Sequence, residues 1–258
     1  SRRIGNVYKR QQGEWAKMKA YDLLIQAETG LASITGSADA PGRVGISVAD
    51  IATGMYAWSA ILEALIARGI NEHGQHIEVS LFDALADWMA VPLLWQDYGG
   101  KAPERVGLSH PSICSYGAFK TADGKTILLH IQNEREWQRF CVEILVDADF
   151  AEQYPDNSSR LANRSVVDGY VETALGKLSH TEASAKLKKS EIAYSTLNDV
   201  QGLSSHPILR RAVIYNPEGK INVPAPPAIF NDAPQDSLKE VPSLNQHGAA
   251  IRAEFSEN

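Results

Sequence analysis

The sequence contains very little cysteine, and this scarcity excludes several kinds of protein. Among 258 residues only Cys114 and Cys141 are present. Two residues are too few for a disulfide framework, and these two lack the paired spacing of a zinc site. We therefore expect both to be small buried hydrophobic residues in a reducing compartment. No apolar signal segment follows the basic first residues, so the sequence predicts a cytoplasmic location.

Long apolar runs and dense basic blocks are missing as well. Glu63 interrupts the stretch WSAILEALIARGI, and Gln96 and Asp97 follow the stretch MAVPLLW. Nothing approaches the ~20 apolar residues that a membrane span needs. Acidic residues number 31 against 25 lysines and arginines, which gives a formal net charge of −6. This balance disfavours binding to nucleic acid through phosphate neutralisation. We expect neither a nucleic-acid nor a membrane partner.

Several catalytic motifs are also missing from the sequence. Gly124-Lys125-Thr126 ends like a phosphate-binding loop, but Phe119 stands where that loop requires glycine. The sequence contains no G-x-G-x-x-G, no H-E-x-x-H and no G-x-S-x-G motif. We therefore expect no nucleoside triphosphate and no metal as cofactor, and nothing supports redox or serine-hydrolase chemistry.

The sequence does contain a regular alternation of helical and extended patterns. Apolar residues at helical spacing predict helices over 21–35, 83–98, 134–146, 158–190 and 243–255, and a helix within 44–70 that Asp50 caps. Alternation predicts a strand over 76–82, and the Asp123-Gly124 turn predicts a hairpin over 116–131. Helices and strands in this order indicate α/β layers.

Seven segments carry a resemblance to a known family. They are AKMKAYDLLIQAETGLASITG (16–36), VGISVADIATGMYA (44–57), HGQHIEVSLFD (73–83), SHPSICSYGAFKTADGK (109–125), IQNEREWQRFC (131–141), SSHPILRR (204–211) and VPAPPAIF (223–230). In this order they resemble the class III CoA-transferase family, which includes formyl-CoA transferase, carnitine-CoA transferases and the related α-methylacyl-CoA racemases. Through IQNEREW and HPSICSYG the chain is most similar to transferases that use succinyl-CoA with malate, citramalate, mesaconate or itaconate.

The resemblance implies a fold and a division of the chain. It implies an α/β fold, in which a partial Rossmann-like large domain holds an inserted smaller α+β domain and the C-terminus returns to the large domain. The corresponding bounds are 1–105, 106–200 and 201–258. Family members have a further N-terminal region before the Lys-x-Tyr-Asp stretch, and residues 1–12 do not match what should precede that stretch. We therefore interpret 1–12 as a non-native junction on an N-terminally truncated chain.

The resemblance also assigns a nucleophile. Asp50 matches the family aspartate whose carboxylate attacks the donor thioester. The attack gives an acyl-aspartyl anhydride, and CoA thiolate then converts the anhydride into an aspartyl-CoA thioester. At a helix N-terminus the positive end of the dipole keeps such a carboxylate ionised. From spacing alone the alternative is an ordinary N-cap, with Thr53 completing the turn.

Further residues are implied to bind coenzyme A or substrate. Lys19, Tyr21 and Asp22 match the segment that contacts coenzyme A, and Gln132 and Asn133 lie where the small domain approaches it. The alternatives are a surface lysine for Lys19, a core aromatic for Tyr21 and a helix cap for Asn133.

A loop is implied to close over the substrate. Gly107 and His110 occupy the position of the family's substrate loop, where GLSHPS replaces a glycine-rich sequence. His110 is a candidate ligand for the distal carboxylate of the acceptor, with a plain loop histidine as the alternative.

The expected activity is transfer of CoA from an acyl-CoA donor to a free dicarboxylate, by a chain that is a homodimer at full length. CoA thioesters are the substrates. The first alternative is an acyl-CoA racemase of the same family, which Tyr21 disfavours because racemases carry histidine there. The second alternative is a non-catalytic CoA-binding remnant.

Overall fold

The computed structural model describes residues 14–15, 18–231 and 238–256. Residues 1–12, interpreted above as a junction, lie outside them. The helices are α1 Asp22–Glu28, α2 Leu31–Ile34, α3 Val48–Asn71, α4 Leu81–Trp88, α5 Ala90–Gly99, α6 Glu134–Phe140, α7 Ala148–Gln153, α8 Asn157–Ala162, α9 Arg164–Leu175, α10 His180–Lys189, α11 Val200–Ser204 and α12 Gly248–Ser256. The strands are β1 Gly36–Ser37, β2 Ala40–Pro41, β3 Tyr116–Lys120, β4 Thr126–His130, β5 Ala193–Thr196, β6 Arg211–Asn216 and β7 Gly219–Pro224.

Contacts divide the chain into two units, one ending at Thr196 and the other beginning at Leu197. The division into three segments with bounds at 105 and 200 stays a prediction. Helices and antiparallel strands are both present among the described residues, a mixed composition that fits the α/β fold class. Among the described helices, none is both long and apolar enough to cross a bilayer.

The N-terminal helices, α1 to α5, enclose only a small core. The predicted helix over 21–35 is divided at Gly30, whose φ of 82° is a left-handed conformation that ends α1. Residues of α1, α3 and α4 and one residue before α1 then meet in one cluster: Ala20, Ile25, Val48, Ala49, Leu81 and Leu85. This cluster lies at the first turn of α3 and therefore fixes where that helix begins.

The strand predicted over 76–82 was wrong. Residues 76–80 belong to the connection between α3 and α4, residues 81–82 begin α4, and no strand pairs with this segment among the described residues. The Ser80 hydroxyl accepts a hydrogen bond from the Asp83 N–H at 3.0 Å and donates to the Asp83 carboxylate at 2.6 Å. This cap starts α4 at Leu81, so the sequence Ser-x-x-Asp is a helix start that the alternating pattern concealed.

The long helix α3 buries little beyond its first turns. Its buried residues are Val48, Ala49 and Ala52. The apolar residues that recur at helical spacing further along α3 are all more than 40% exposed, namely Ile51, Met55, Trp58, Ile61, Leu62 and Leu65. We call these six residues the open face of α3.

The segment from Cys114 to Thr196 has a complete core. The predicted hairpin is confirmed, since β3 pairs antiparallel with β4 and Gly124 in the turn has φ of 77°. Strand β5 adds to β4, and helices α6, α7, α9 and α10 contribute to a core of nineteen buried residues that includes Trp137 and Phe140. The guanidinium of Arg160 lies 5.0 Å from the centre of the Trp137 ring.

Both cysteines lie in this core, as the composition predicts. Cys114 and Cys141 are free and buried. Burial raises the pKa of the Cys114 thiol to about 11 and that of Cys141 to about 12. Thiols with such values are protonated at neutral pH and are not nucleophiles.

The second unit is a small hairpin with flanking helices. Strands β6 and β7 pair antiparallel, and the backbone N–H groups of Leu238 and Val241 donate to the carbonyls of Val213 and Tyr215. The C-terminal helix predicted over 243–255 is observed in part, as α12, which begins only at Gly248.

Candidate active site

Asp50 is the third residue of α3, not its cap. The N-cap is Ser47, whose side chain makes no capping hydrogen bond, so the prediction that Asp50 caps the helix was wrong. Thr53 does not complete that cap either, because its hydroxyl donates to the Ala49 carbonyl at 2.7 Å. The Asp50 side chain is exposed and makes no hydrogen bond or ion pair with any described residue. An unpaired carboxylate therefore stands at the positive end of a 24-residue helix.

Helix α1 holds the start of α3 through two polar side chains. One Asp22 oxygen accepts the Ala49 N–H at 2.8 Å, and the other accepts from the Gln26 amide at 2.7 Å. The Gln26 side chain is completely buried, and its own oxygen accepts the Val44 N–H at 2.8 Å. Sequence reasoning missed Gln26. Its spacing of four residues from Asp22 on α1 is the signal that was available.

The other residues expected to contact coenzyme A on this side are exposed. The Lys19 side chain is exposed and makes no hydrogen bond or ion pair with any described residue. Tyr21 is the N-cap of α1 and is 62% exposed, so it is not a core aromatic residue. Both side chains are therefore accessible to a ligand.

Residues 105–115 form a loop, here called the pocket loop, that is anchored at both ends. At its start, the Arg105 guanidinium donates to three backbone carbonyls, those of Ser33, Ser37 and Ala38, at 3.0–3.1 Å. Gly107, with φ of 62°, donates its N–H to the Gly36 carbonyl at 3.0 Å.

The end of the pocket loop is fixed by helices α8 and α9. The Arg164 guanidinium donates to the carbonyls of His110 and Ile113 at 2.7 and 2.8 Å. Asn157 donates to the Ser112 carbonyl at 2.9 Å, and Arg160 donates to the Cys114 carbonyl at 2.9 Å. These helices carry the polar groups that satisfy the loop's backbone, and sequence patterns do not reveal such distant partners.

The surroundings of His110 favour one protonation state and one tautomer of its imidazole. Its Nδ1 accepts the Ser112 N–H at 3.2 Å, and its ring stacks on Tyr116 with the ring centres 5.2 Å apart. Burial first, and then the charges of His130 and Arg164, lower the pKa of His110 below its usual value. The imidazole is therefore neutral at pH 7. Because Nδ1 accepts a hydrogen bond, the proton lies on Nε2, which is a donor.

Gly107 and His110 line one pocket. It has a volume of about 440 Å³ and lies between the turn at residues 34–36, helix α5 and the pocket loop. Its walls are mainly apolar, with Ile34, Val91 and Trp95 among them. The structure thus brings the two predicted substrate-loop residues together. Asp50, Lys19, Tyr21, Asp22, Gln132 and Asn133 are not among the residues that line it.

Asn133 caps α6. Its side-chain oxygen accepts the Glu136 N–H at 2.9 Å, while its amide donates to the Glu136 carboxylate at 3.0 Å. The capping alternative is thereby confirmed for Asn133. Gln132 donates its backbone N–H to the same carboxylate at 2.9 Å and leaves its side chain exposed. Contact of either residue with coenzyme A stays a prediction.

Comparison with known proteins decides the family. The sequence profile of CoA-transferase family III matches residues 7–248. The chain belongs to CoA-transferase family III. The resemblance drawn from the seven sequence segments is confirmed.

Family III relatives match along nearly the whole chain. A succinate–glutarate CoA-transferase from Agrobacterium fabrum is 29% identical over 252 residues, which are 95% of this chain and 63% of that protein. An acetyl-CoA:oxalate CoA-transferase from Acetobacter aceti is 29% identical over 255 residues, which are 95% of this chain and 64% of the relative.

A solved family III structure supports the fold. The crystal structure of a CaiB/BaiF family protein from Brucella suis is 30% identical and superposes with a TM-score of 0.78. The match covers 96% of this chain and 66% of that one. The α/β fold class is thereby confirmed, and the chain spans just under two thirds of the length of these relatives.

Proposed function

We propose that the protein transfers coenzyme A between an acyl-CoA thioester and a free dicarboxylate, with Asp50 as the nucleophile. The observation that carries this proposal is the exposed, unpaired Asp50 carboxylate in the first turn of α3. The family to which the chain belongs supplies the reaction class, and the first turn of α3 places the carboxylate at the positive end of the helix dipole.

The proposed chemistry proceeds by acyl transfer at one carboxylate. An Asp50 oxygen attacks the thioester carbonyl and displaces CoA thiolate, which gives a mixed anhydride. The thiolate then attacks the Asp50 carbonyl, releases the donor acid and leaves an aspartyl-CoA thioester. The acceptor carboxylate displaces CoA thiolate from this thioester, and the thiolate attacks the acceptor's acyl carbon to form the new acyl-CoA and free Asp50. One thioester replaces another, so the sequence of steps needs neither ATP nor a metal.

The donor is proposed to be succinyl-CoA and the acceptor a dicarboxylate. Relatives named for succinate–glutarate and succinyl-CoA:mesaconate transfer support this choice. His110 supports it too, because a neutral Nε2–H in a mainly apolar pocket is a suitable single donor for a distal carboxylate. Lys19, Tyr21 and Gln132, which are exposed, are proposed to contact coenzyme A.

The assembled enzyme is proposed to be a cytoplasmic homodimer. The open face of α3 supports this, since six apolar side chains there are exposed along one helix. A second copy of the same chain is the occupant we propose for that face. The two buried, protonated thiols suit a reducing compartment.

Intact-protein mass spectrometry after incubation with succinyl-CoA tests the mechanism. We expect an acyl or CoA adduct that hydroxylamine removes and that Asp50→Asn lacks. Asp39→Asn, a change of an exposed turn carboxylate, is the control and should form the adduct normally. A chain that unfolds cooperatively yet forms no adduct would overturn the proposal in favour of a non-catalytic remnant.

A further inference from the structure

We infer that Asp22 is a positioning residue that holds the first turn of α3, and with it Asp50, rather than a ligand of coenzyme A. The role as a positioning residue for catalysis rests on the proposed function of Asp50. The inference replaces the sequence-based expectation that Asp22 contacts coenzyme A.

The first step concerns the N-terminus of α3, where the N-cap residue supplies no side-chain hydrogen bond. The initial N–H groups of a helix have no partner within the helix and need an acceptor from elsewhere. Ser47 at the N-cap position supplies none from its side chain. Asp22, 27 positions earlier in the chain, supplies it by accepting the Ala49 N–H at 2.8 Å. An anion at this end is also favoured by the helix dipole.

The second step is the connection to the nucleophile. Ala49 is completely buried and directly precedes Asp50. The Asp22 bond therefore fixes the orientation of the Val48–Ala49 peptide plane, one residue before the nucleophile. A helix turn that is free to fray would let the Asp50 carboxylate move relative to a bound thioester, and a displacement of about 1 Å costs as much as about a hundredfold in rate.

The third step is what holds Asp22 itself. Gln26 donates to the second Asp22 oxygen at 2.7 Å, accepts the Val44 N–H at 2.8 Å and donates to the Val44 carbonyl at 3.4 Å. It is completely buried, where unpaired polar groups are costly, so these bonds persist. Gln26 thus ties α1, Asp22 and the segment before α3 into one arrangement.

The same bonds argue against a contact between Asp22 and coenzyme A. Both Asp22 oxygens already accept hydrogen bonds. An ionised carboxylate has no proton to donate, and it repels the phosphates of coenzyme A.

The test separates positioning from binding by measuring two quantities on Asp22→Ala and Asp22→Asn. They are the rate of adduct formation at saturating succinyl-CoA and the dissociation constant of CoA by calorimetry. For Asp22→Ala we expect adduct formation to slow by about tenfold or more, with a CoA dissociation constant within about twofold of the original. Asp22→Asn should lose less rate, because its side-chain oxygen still accepts the Ala49 N–H.

Asp39→Asn is the matched control and should change neither quantity. A CoA dissociation constant that rises by about tenfold, with the adduct rate unchanged at saturation, would overturn the inference and make Asp22 a CoA ligand. Unchanged rate and affinity would overturn it as well. If Asp22→Ala does not fold, Asp22→Leu, which has a similar shape but no acceptor for the Ala49 N–H, carries the same comparison.

Hydrogen exchange supplies a readout that does not depend on catalysis. We expect faster exchange of the Ala49 amide in Asp22→Ala, while amides in the middle of α3 stay protected. If the original chain forms no adduct at all, the proposed function fails, but the exchange result still decides whether Asp22 caps α3. Unchanged protection of Ala49 would refute the cap.

Discussion

Two regions of the molecule have similar apolar periodicity in sequence but differ in burial. The apolar side chains of the core beneath the β3–β4 hairpin are buried, whereas many of those on helices α3 to α5 are exposed. Trp137 in α6 has no exposed surface, whereas Trp58 in α3 is 64% exposed. In the first region a sheet and several helices surround the tryptophan, and nineteen residues are buried together. In the second region the buried cluster includes only the start of α3, so the rest of that helix is left mostly uncovered. A periodic apolar pattern thus shows which face of a helix favours burial, but not what covers it.

The largest expected effect tests this difference with one substitution at two places. Trp137→Ala removes a fully buried ring that also lies against Arg160, and it should destabilise the chain by about 3–5 kcal/mol. Trp58→Ala removes an exposed ring, and it should change stability by no more than about 0.5 kcal/mol. Urea unfolding at low protein concentration measures both. Trp137→Phe gives a smaller loss if the alanine variant does not fold. Equal losses at the two positions would show that the open face is covered within the single chain.

An intermediate effect concerns what covers the open face. Met55→Glu places a charge on that face. It should raise the dissociation constant of the proposed dimer by about tenfold or more. The unfolding midpoint of the monomer should hardly move, because Met55 is exposed there. Sedimentation velocity over a range of concentrations gives the assembly state. Val142→Glu, on an exposed position outside the open face, is the control. A chain that is monomeric at every concentration would contradict the proposed dimer.

The smallest effect is the titration of His110, at the junction between the two regions. Its pKa is lowered by burial, His130 and Arg164, so its NMR titration midpoint should lie below about 6.5. The unfolded chain binds this proton at higher pH than the folded chain. Stability from His110 is therefore full above about pH 6.5 and is lost as the pH falls towards the folded-state pKa.

Arg164→Gln sharpens the same measurement. Removing the guanidinium charge should raise the His110 midpoint, and losing the bonds to the carbonyls of His110 and Ile113 should speed amide exchange in the pocket loop. Arg135→Gln removes an exposed charge of α6 and should do neither. His110→Asn identifies the resonance. A midpoint that does not differ between the two arginine variants would show that Arg164 does not influence the ring.

Sequence reasoning succeeded where a structure depends on neighbouring residues. The Asp123-Gly124 turn and its flanking strands were predicted because a two-sided apolar pattern and a turn that needs positive φ lie within sixteen residues, 116–131. The family was predicted because its motifs are contiguous segments. Gly107 and His110, which lie within four consecutive residues, line one pocket, while their contact with a substrate stays a prediction.

It failed where a structure depends on distant residues or on competition between two local signals. At Ser80 a helix cap prevailed over strand-like alternation, because no partner strand is available there among the described residues. Ala49 is capped by a side chain 27 positions away, and the pocket loop is bound by arginines whose partners no periodicity indicates. Such bonds form only after tertiary packing and leave no pattern in the sequence.

The anchoring of the pocket loop has a practical consequence for protein engineering. The backbone of the pocket loop is fixed by the Arg105 guanidinium at its start and by the Arg164 guanidinium, which binds the His110 carbonyl. These bonds involve none of the side chains of residues 106–109. Leu108 is one of the residues between these anchors, 53% exposed and adjacent to the pocket-lining Gly107 and Ser109. A combinatorial library at this one position would therefore vary the rim of the pocket while the anchoring bonds stay in place, and it would test whether this rim influences the choice of the proposed acceptor.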